Sequence, residues 1–184
     1  MRKLIFAINL TLDGCCDHTK VIGDEELHEY YAQLLGGGDT LVYGRKTYQL
    51  MVPFWPDIAK TNSGPTKAMN AFAQAFDAMK KIVVFSRSLE NVEEKNASIV
   101  RTNLRDEILK LKKQEGKNIL TGGVDIPSQL IQLGLVDEYY FVIQPFIVGE
   151  GRRLLEGFTL QEKLQLVESK VFASGCVALR YRKG

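Results

Sequence analysis

Short runs of β-branched and aromatic residues alternate with longer segments of helical periodicity along most of the chain. This alternation is typical of an α/β domain with a largely parallel sheet, because a crossover between parallel strands needs a connection about as long as a helix. The predicted strands are Lys3–Leu10, Thr40–Tyr43, Lys81–Phe85, Ser98–Arg101, Asn118–Leu120 and Glu138–Ile143.

Helical segments are predicted between those strands. Asp24 is a predicted N-cap, with acidic residues in the turn that follows it and three glycines, 36 to 38, at the end of that segment. The predicted helices are Glu25–Leu35, Thr47–Met51, Thr66–Ala78, Leu104–Gln114 and a short one from about 126 to 133.

The last part of the chain has a different pattern. Leu164–Phe172 and Gly175–Arg182 are predicted as two long strands joined at Ala173-Ser174, which makes a hairpin. The predicted fold class is therefore α/β, with a mostly parallel central sheet closed by antiparallel C-terminal strands.

Length and composition limit the classes of protein that remain. A chain of 184 residues favours one domain, residues 1–184, over two. Hydrophobic residues make up 45% and charged residues 25%, which is ordinary for a globular protein. A net charge of +2 with scattered cations argues against a nucleic-acid surface. No run approaches the 18 or more apolar residues of a membrane span, so we expect neither nucleic acid nor membrane as a partner.

The cysteines indicate the compartment. Three of them, with Cys15 and Cys16 adjacent, make a poor disulfide framework, so we expect a reducing environment, the cytoplasm. The run Cys15-Cys16-Asp17-His18 contains zinc-ligand chemistry, but adjacent side chains diverge and the chain has no C-x-x-C spacing. We expect no metal site.

Three predicted strand ends carry polar or glycine-rich sequences. These are Gly44-Arg45-Lys46-Thr47, Ser86-Arg87-Ser88, and Gly122-Gly123 followed by a helix. The alternative for each is an ordinary turn with solvated side chains. Because ligands of open parallel sheets bind at the carboxyl ends of the strands, the three sequences together favour a nucleotide site.

The chemistry of these sequences points to one kind of ligand. Glycines without Cβ atoms let the backbone approach a pyrophosphate, and a helix N-terminus supplies N–H donors to it. Arg45 and Arg87 are suited to a phosphate monoester, and Thr47, Ser86 and Ser88 add hydroxyls. A dinucleotide with an additional phosphate is NADPH, which we expect as the cofactor.

The ordered set GRKTY, VVFSRS and TGG resembles the dihydrofolate reductase superfamily. The segment LVDEYYFVIQPFIVGEGRRLLEG and the opening NLTLDG are similar to its riboflavin-biosynthesis reductase branch, the RibD C-terminal domain. The resemblance implies a dihydrofolate-reductase-like three-layer fold and a homodimer formed partly through the C-terminal strands. It also implies the NADPH-binding residues, which are Ala7, Ile8, Gly44, Arg45, Lys46, Thr47, Ser86, Arg87, Ser88, Arg101, Gly122, Gly123, Val124 and Asp125.

The substrate side is less well marked in the sequence. The resemblance places Asp13, in the LDG turn, where it binds a substrate hydroxyl or relays a proton; a plain Asp-Gly turn is the alternative. Dihydrofolate reductases have a carboxylate on the helix before GRKT, where His28 falls here; Glu26 and Glu29 are the nearby catalytic candidates or else solvated charges. Trp55 either stacks on a flat substrate or fills the core.

The function that these residues indicate is transfer of hydride from NADPH to a small heterocycle of pyrimidine or pterin type. The resemblance implies an activity like that of 5-amino-6-(5-phosphoribosylamino)uracil reductase. Two alternatives stay open: dihydrofolate reductase proper, and a nucleotide-binding module without catalysis on the same fold. The chain lacks the zinc signature of the deaminase domain that usually accompanies the riboflavin reductase.

Overall fold

The computed structural model describes residues 1–17, 19, 22–157, 159 and 161–184. Within those ranges eight strands form one sheet, accompanied by six helices. The strands are β1 (Leu4–Thr11), β2 (Gly38–Gly44), β3 (Lys81–Phe85), β4 (Ala97–Val100), β5 (Asn118–Thr121), β6 (Glu138–Gln144), β7 (Leu164–Val171) and β8 (Val177–Lys183). The helices are α1 (Glu25–Gly36), α2 (Arg45–Met51), α3 (Phe54–Thr61), α4 (Lys67–Asp77), α5 (Leu104–Lys113) and α6 (Asp125–Gln132).

The sheet has the strand order β4-β3-β2-β5-β1-β6-β8-β7. Every pairing among β1 to β6 is parallel, and β8 pairs antiparallel with both β6 and β7. The predicted fold class, a mostly parallel sheet closed by antiparallel C-terminal strands, is confirmed. The carboxyl ends of β1 to β6 consequently lie along one edge of the sheet, where the polar sequences were predicted to meet.

Helices cover both faces of the sheet. Because successive strand residues point to opposite faces, Phe6 of β1 joins a buried cluster with Ile108 of α5 and Leu130 of α6. Its neighbour Ile5 joins a second cluster with Phe76 of α4. The result is the expected three-layer arrangement of helices, sheet and helices.

Helix α3 was missed by the sequence prediction, which gave no helix between Met51 and Thr66. Pro53 is the N-cap with φ of −65°, and Pro56 lies in the first turn. A proline is tolerated there because the first N–H groups of a helix have no partner within it. Two closely spaced prolines therefore mark the start of a helix here. By contrast, the predicted N-cap of α1 is confirmed, since the Asp24 carboxylate accepts from Leu27 N–H at 2.8 Å.

Strand β7 lies at one edge of the sheet. The predicted hairpin is present, with a longer turn in which Phe172 N–H donates to the Cys176 carbonyl at 2.9 Å. Leu166, Val167 and Val171 of β7 are 51%, 45% and 73% exposed. An apolar edge strand of this length has unpaired backbone groups and apolar side chains open to a partner.

A search of the described residues for a helix long and apolar enough to cross a membrane found none.

Candidate active site

The loops after β2 and β5 pack against each other at the carboxyl edge of the sheet. Gly123 has φ of +84°, and a Cβ there would overlap the Thr47 hydroxyl at the start of α2. A Cβ on Gly44 would lie 3.1 Å from Ile126 Cγ1 in α6. Both glycines are thus required by close approach, and they bring two of the predicted cofactor sequences together.

Strand β1 adds a backbone wall to this region. A Cβ on Gly122 would lie 3.4 Å from the carbonyl oxygen of Ala7. The predicted residues Ala7 and Gly122 are therefore neighbours across β1 and β5, which pair directly. The side chain of Ile8 points the other way, into the core cluster beside α5 and α6, so its backbone alone is available at this edge.

Two helices begin at this edge without side-chain caps. Gly44 is the N-cap of α2 and Val124 is the N-cap of α6, and neither side chain accepts a hydrogen bond from its helix. The first N–H groups of a helix carry a partial positive charge and have no intrahelical acceptor. This arrangement of N–H donors beside glycine is suited to the phosphates of a nucleotide.

The predicted cations lie at the surface around these helix starts. Arg45, Lys46 and Arg87 are exposed, and none of them forms an ion pair with another described residue. Arg45 donates to Gln49 Oε1 of its own helix at 3.2 Å. Cations with no acidic neighbour are available to a phosphorylated ligand.

The SRS sequence forms an ordered turn after β3. The Ser86 hydroxyl oxygen accepts from the N–H groups of Ser88 at 3.2 Å and Leu89 at 2.9 Å. Arg101, beyond β4, donates to the Leu89 carbonyl at 2.7 Å. The structure thus brings the predicted residues of this turn and Arg101 to one place, with Ser86 fixing the loop and the side chain of Arg87 left at the surface.

Asp13 connects the loop after β1 to the loop after β6. Its carboxylate accepts from the Thr11 hydroxyl at 2.7 Å, from Gly149 N–H at 2.9 Å and from Val148 N–H at 3.3 Å. These bonds, that of Thr11 first and that of Gly149 next, lower the pKa of Asp13 to about 2. The group is ionised near neutral pH, and its oxygens serve as acceptors that join the two loops.

The loop after β6 continues across the site to α6. Cys16 N–H donates to the Arg152 carbonyl at 2.8 Å, and Arg153 forms an antiparallel bridge with Cys15. The Arg152 guanidinium forms an ion pair with Asp125 in the first turn of α6. The charge of Asp125, a predicted cofactor residue, is therefore neutralised by Arg152. The carboxylate then offsets less of the partial positive charge at the N-terminus of α6.

The two adjacent cysteines belong to this same pair of loops. Cys15 is buried, and desolvation together with Cys15 raises the pKa of the Cys16 thiol to about 11. The described residues contain no group of three or more His, Cys, Asp or Glu positioned for a metal ion. His18 lies outside the described residues, so the absence of a metal site stays a prediction.

The remaining candidates for the substrate side are spread over α1 and α3. Glu26 and Glu29 are exposed, and Glu26 accepts from Ala173 N–H in the β7–β8 turn at 2.8 Å. Trp55 packs its ring 4.4 Å from the Phe72 ring and 6.0 Å from that of His28, measured between centroids. None of these residues contacts Asp13 within the described part of the chain, so the structure does not gather the predicted substrate-side residues into one cluster.

Sequence reasoning missed a polar network at the carboxyl end of β1 and β6. Asn9 Oδ1 accepts from the Tyr31 hydroxyl at 3.1 Å and from Gln144 Nε2 at 3.2 Å. Gln144 is fully buried. The available signal was a polar residue near the carboxyl end of each strand, Asn9 in β1 and Gln144 as the last residue of β6.

Comparison with known proteins agrees with this architecture. The family model described as the RibD C-terminal domain matches residues 2–178. Uncharacterized protein YyaP of Bacillus subtilis is 32% identical over 186 aligned residues, which cover 98% of this chain and 94% of that protein.

Two solved structures resemble the fold. A putative riboflavin biosynthesis protein from a Shewanella species superposes with a TM-score of 0.75 at 18% identity, covering 99% of both chains. A diaminohydroxyphosphoribosylaminopyrimidine deaminase/5-amino-6-(5-phosphoribosylamino)uracil reductase from Thermotoga maritima gives 0.69 at 16% identity, covering all of this chain and 57% of that one.

Proposed function

The chain belongs to the RibD C-terminal domain family, and from that premise we propose that it is an NADPH-dependent reductase of a small pyrimidine- or pterin-type heterocycle. The observation that carries the proposal is the packing of Gly123 against Thr47 beside the uncapped starts of α2 and α6. A surface made of glycine backbone and free N–H groups fits a pyrophosphate and excludes bulkier side chains.

The choice of NADPH over NADH rests on the exposed arginines. Arg87 follows β3, and Arg101 lies in contact with the same turn. A guanidinium offers two parallel donors to a phosphate monoester, which suits the 2′-phosphate that distinguishes NADPH. Ser86 and Ser88 complete this part of the proposed site, while Arg45, Lys46 and Val124 lie beside the proposed pyrophosphate.

The nicotinamide end of the cofactor is placed against β1 by the same reasoning. Ala7 and Gly122 form a backbone wall there, and the loops held by Asp13 border it. When bound, NADPH supplies the hydride, so the protein needs to align the two rings and exclude water. Asp13 holds its loops as an ionised acceptor and positions this border of the pocket.

The proposed substrate class follows from family membership. The Thermotoga protein is described as a reductase of 5-amino-6-(5-phosphoribosylamino)uracil. We assign this chain a flat heterocycle of the same general kind. Dihydrofolate reductase activity is the less favoured alternative, because His28 stands where a carboxylate is expected and its ring packs against Trp55 and Phe72.

We further propose a homodimer in the cytoplasm. The exposed apolar residues of edge strand β7 supply the contact surface. Free thiols at Cys15, Cys16 and Cys176 are in keeping with a reducing compartment.

Cofactor preference is the direct test. Calorimetric titration of the purified protein should give tighter binding of NADPH than of NADH. Replacing Arg87 with alanine should weaken NADPH binding by about 10- to 100-fold, because a hydrogen bond to a charged group contributes roughly 1.5–3 kcal/mol to the binding free energy. NADH binding should change little. Arg105→Ala, another exposed arginine placed on α5, is the matched control. Equal affinity of the unaltered protein for the two nucleotides would refute the proposal.

A nucleotide-binding module without catalysis is the second candidate. The observation in its favour is that Asp13 is ionised and that Glu26 and Glu29 are exposed. Absorbance at 340 nm during a screen of aminopyrimidines and pterins separates the two. Oxidation of NADPH with any of these rings establishes the reductase, and binding without oxidation across the screen supports the module.

A further inference from the structure

The amide side chain of Asn9 is held in one orientation by a chain of hydrogen bonds. The chain begins at Ile22, whose backbone N–H donates to Gln144 Oε1 at 2.9 Å. Because a backbone N–H can only donate, the Gln144 atom that faces it must be the carbonyl oxygen. The buried thiol of Cys176 donates to the same oxygen, with Sγ at 3.3 Å.

The orientation of Gln144 then decides that of Asn9. With Oε1 facing Ile22, Gln144 presents Nε2 to Asn9 at 3.2 Å. An amide nitrogen donates, so the Asn9 atom that it meets is the acceptor Oδ1. Tyr31 adds a second donor to this oxygen, and desolvation raises the pKa of its phenol, which therefore keeps its proton.

Among the described residues, this arrangement gives the Asn9 amide nitrogen no hydrogen-bond partner. Within the described part of the chain, Asn9 makes its hydrogen bonds through Oδ1. In the described residues, the buried side-chain polar atom without a hydrogen-bond partner is Ser174 Oγ. Asn9 Nδ2 is therefore not a buried atom left unpaired. Asn9 is partly exposed, so its two N–H donors are open to solvent at a fixed place.

The position of Asn9 links it to the proposed site. Asn9 lies two residues after Ala7 on β1, and alternate strand residues share one face of a sheet. Ala7 adjoins Gly122, where the nicotinamide is proposed to lie. Tyr31 of α1 contacts Asn9 from the same face of the sheet, whereas α6 packs on the other face. The free donors of Asn9 therefore border the place where a substrate ring meets the cofactor.

We propose that Asn9 is a specificity-determining residue, and that its Nδ2 donates a hydrogen bond to a ring carbonyl oxygen of the bound heterocycle. Tyr31 and Gln144 are the positioning residues that hold Asn9 for this contact. The inference rests on the proposed function, since it takes a heterocycle as the ligand. A donor fixed in this way favours a ring with a carbonyl over the same ring with an amino group, because the latter puts two donors face to face.

A pair of probe rings tests this preference without any assumption about turnover. The rings are 5,6-diaminouracil, which has two carbonyls, and tetraaminopyrimidine, which has amino groups in their place. Binding of each to the full chain is measured by calorimetry, with and without saturating NADPH. The unaltered protein should prefer diaminouracil by about 10-fold or more.

The variant Asn9→Asp keeps an oxygen for Tyr31 and Gln144 and replaces the free donors with an acceptor. It should reduce or reverse the preference, lowering the ratio of the two affinities by about 10-fold or more while NADPH binding stays within about 2-fold. A loss of structure at Asn9 would instead weaken the binding of both rings to the same extent. Arg105→Ala, an exposed position on α5 at the other face of the sheet, is the control and should leave the ratio unchanged.

A second measurement uses the unaltered protein and does not depend on the folding of a variant. In a spectrum of ¹⁵N-labelled protein, the Asn9 side-chain NH₂ pair should shift on addition of diaminouracil and stay in place with tetraaminopyrimidine. Equal binding of the two rings, binding of neither, or an unmoved NH₂ pair would each overturn the role of Asn9. The reductase proposal fails separately, if the protein does not bind NADPH.

Discussion

Replacing Gly123 with alanine separates two reasons for a glycine at the proposed cofactor site. One reason is backbone conformation, because φ is +84° at this residue. The other is space, because a Cβ would overlap the Thr47 hydroxyl and would lie 3.4 Å from Thr47 Cβ. Rotation about χ1 of Thr47 would move the hydroxyl away and leave its Cβ in ordinary van der Waals contact, so room for the new methyl requires that the hydroxyl give up its present position.

The expected cost follows from these two terms. A left-handed conformation costs an L-residue roughly 1–2 kcal/mol, partly offset by about 0.4–1 kcal/mol from the reduced entropy of the unfolded chain. Forcing an extra methyl into packed surroundings costs about 1–3 kcal/mol more. Gly123→Ala should therefore lower the free energy of unfolding by about 2–4 kcal/mol. Gly14 provides the control, since its φ is +81° and a Cβ there meets nothing within 4 Å; Gly14→Ala should cost roughly 1 kcal/mol.

Urea unfolding followed by circular dichroism measures both variants, with NADPH affinity determined in parallel. The double variant Gly123→Ala/Thr47→Ala should recover part of the steric cost and none of the conformational cost, which a double-mutant cycle reports as a coupling energy. Equal shifts of the urea midpoint for Gly123→Ala and Gly14→Ala, with no coupling to Thr47, would show that the two loops do not pack as described.

Three further predictions concern the loops and the edge strand. The hydrogen bonds of Asp13 lower its pKa from 3.8 to about 2, so they stabilise the fold above pH 3.8 and lose that effect as the pH falls toward about 2. The urea midpoints of Asp13→Asn and the unaltered protein should therefore converge as the pH falls over that range. Glu26→Ala should lower stability by about 0.5–1 kcal/mol through the lost bond to Ala173 N–H, whereas exposed Glu29→Ala should change it by less than about 0.5 kcal/mol, both from thermal unfolding. Light scattering at micromolar concentration should give a dimer mass for the unaltered protein and a monomer mass for Val167→Lys, and a monomer in both cases would contradict the proposed interface.

The fold was largely predictable because its determinants are local. Alternating strand and helix patterns, the Asp24 cap and the C-terminal hairpin all depend on residues close together in the sequence. Helix α3 was not predicted, although the positions of the two prolines at 53 and 56, before and within the first turn, are compatible with a helix. The meaning of a proline depends on its place relative to a helix start, which the pattern alone did not fix.

The candidate site was predictable in its glycines and cations and not in its polar network. A glycine beside a strand end is a signal that a sequence can carry: at Gly123 it allows a positive φ, and at Gly44 it allows the close approach of Ile126. The bond between Asn9 and Gln144 joins residues 135 positions apart. Neither residue belongs to a short motif, and their meeting is set by the pairing of β1 with β6. Contacts of this kind come from topology and become visible when strand order is known.

The distribution of donors and acids in the described residues bears on how a proton would reach the substrate. Asp13 is ionised and fully engaged with three donors, and Glu26 is bonded to the β7–β8 turn at the surface. Asn9 offers a donor that does not ionise. Under the proposed function, a site of this composition would orient a ring and polarise a carbonyl, and we expect the proton that accompanies the hydride to come from water. We then expect turnover to depend little on pH between about 5 and 8, because the Asp13 carboxylate, whose pKa is lowered to about 2, stays ionised across that range. A sigmoidal loss of turnover within that interval, measured with NADPH saturating, would show that a titrating group takes part and would return Glu26 or Glu29 to the catalytic assignment.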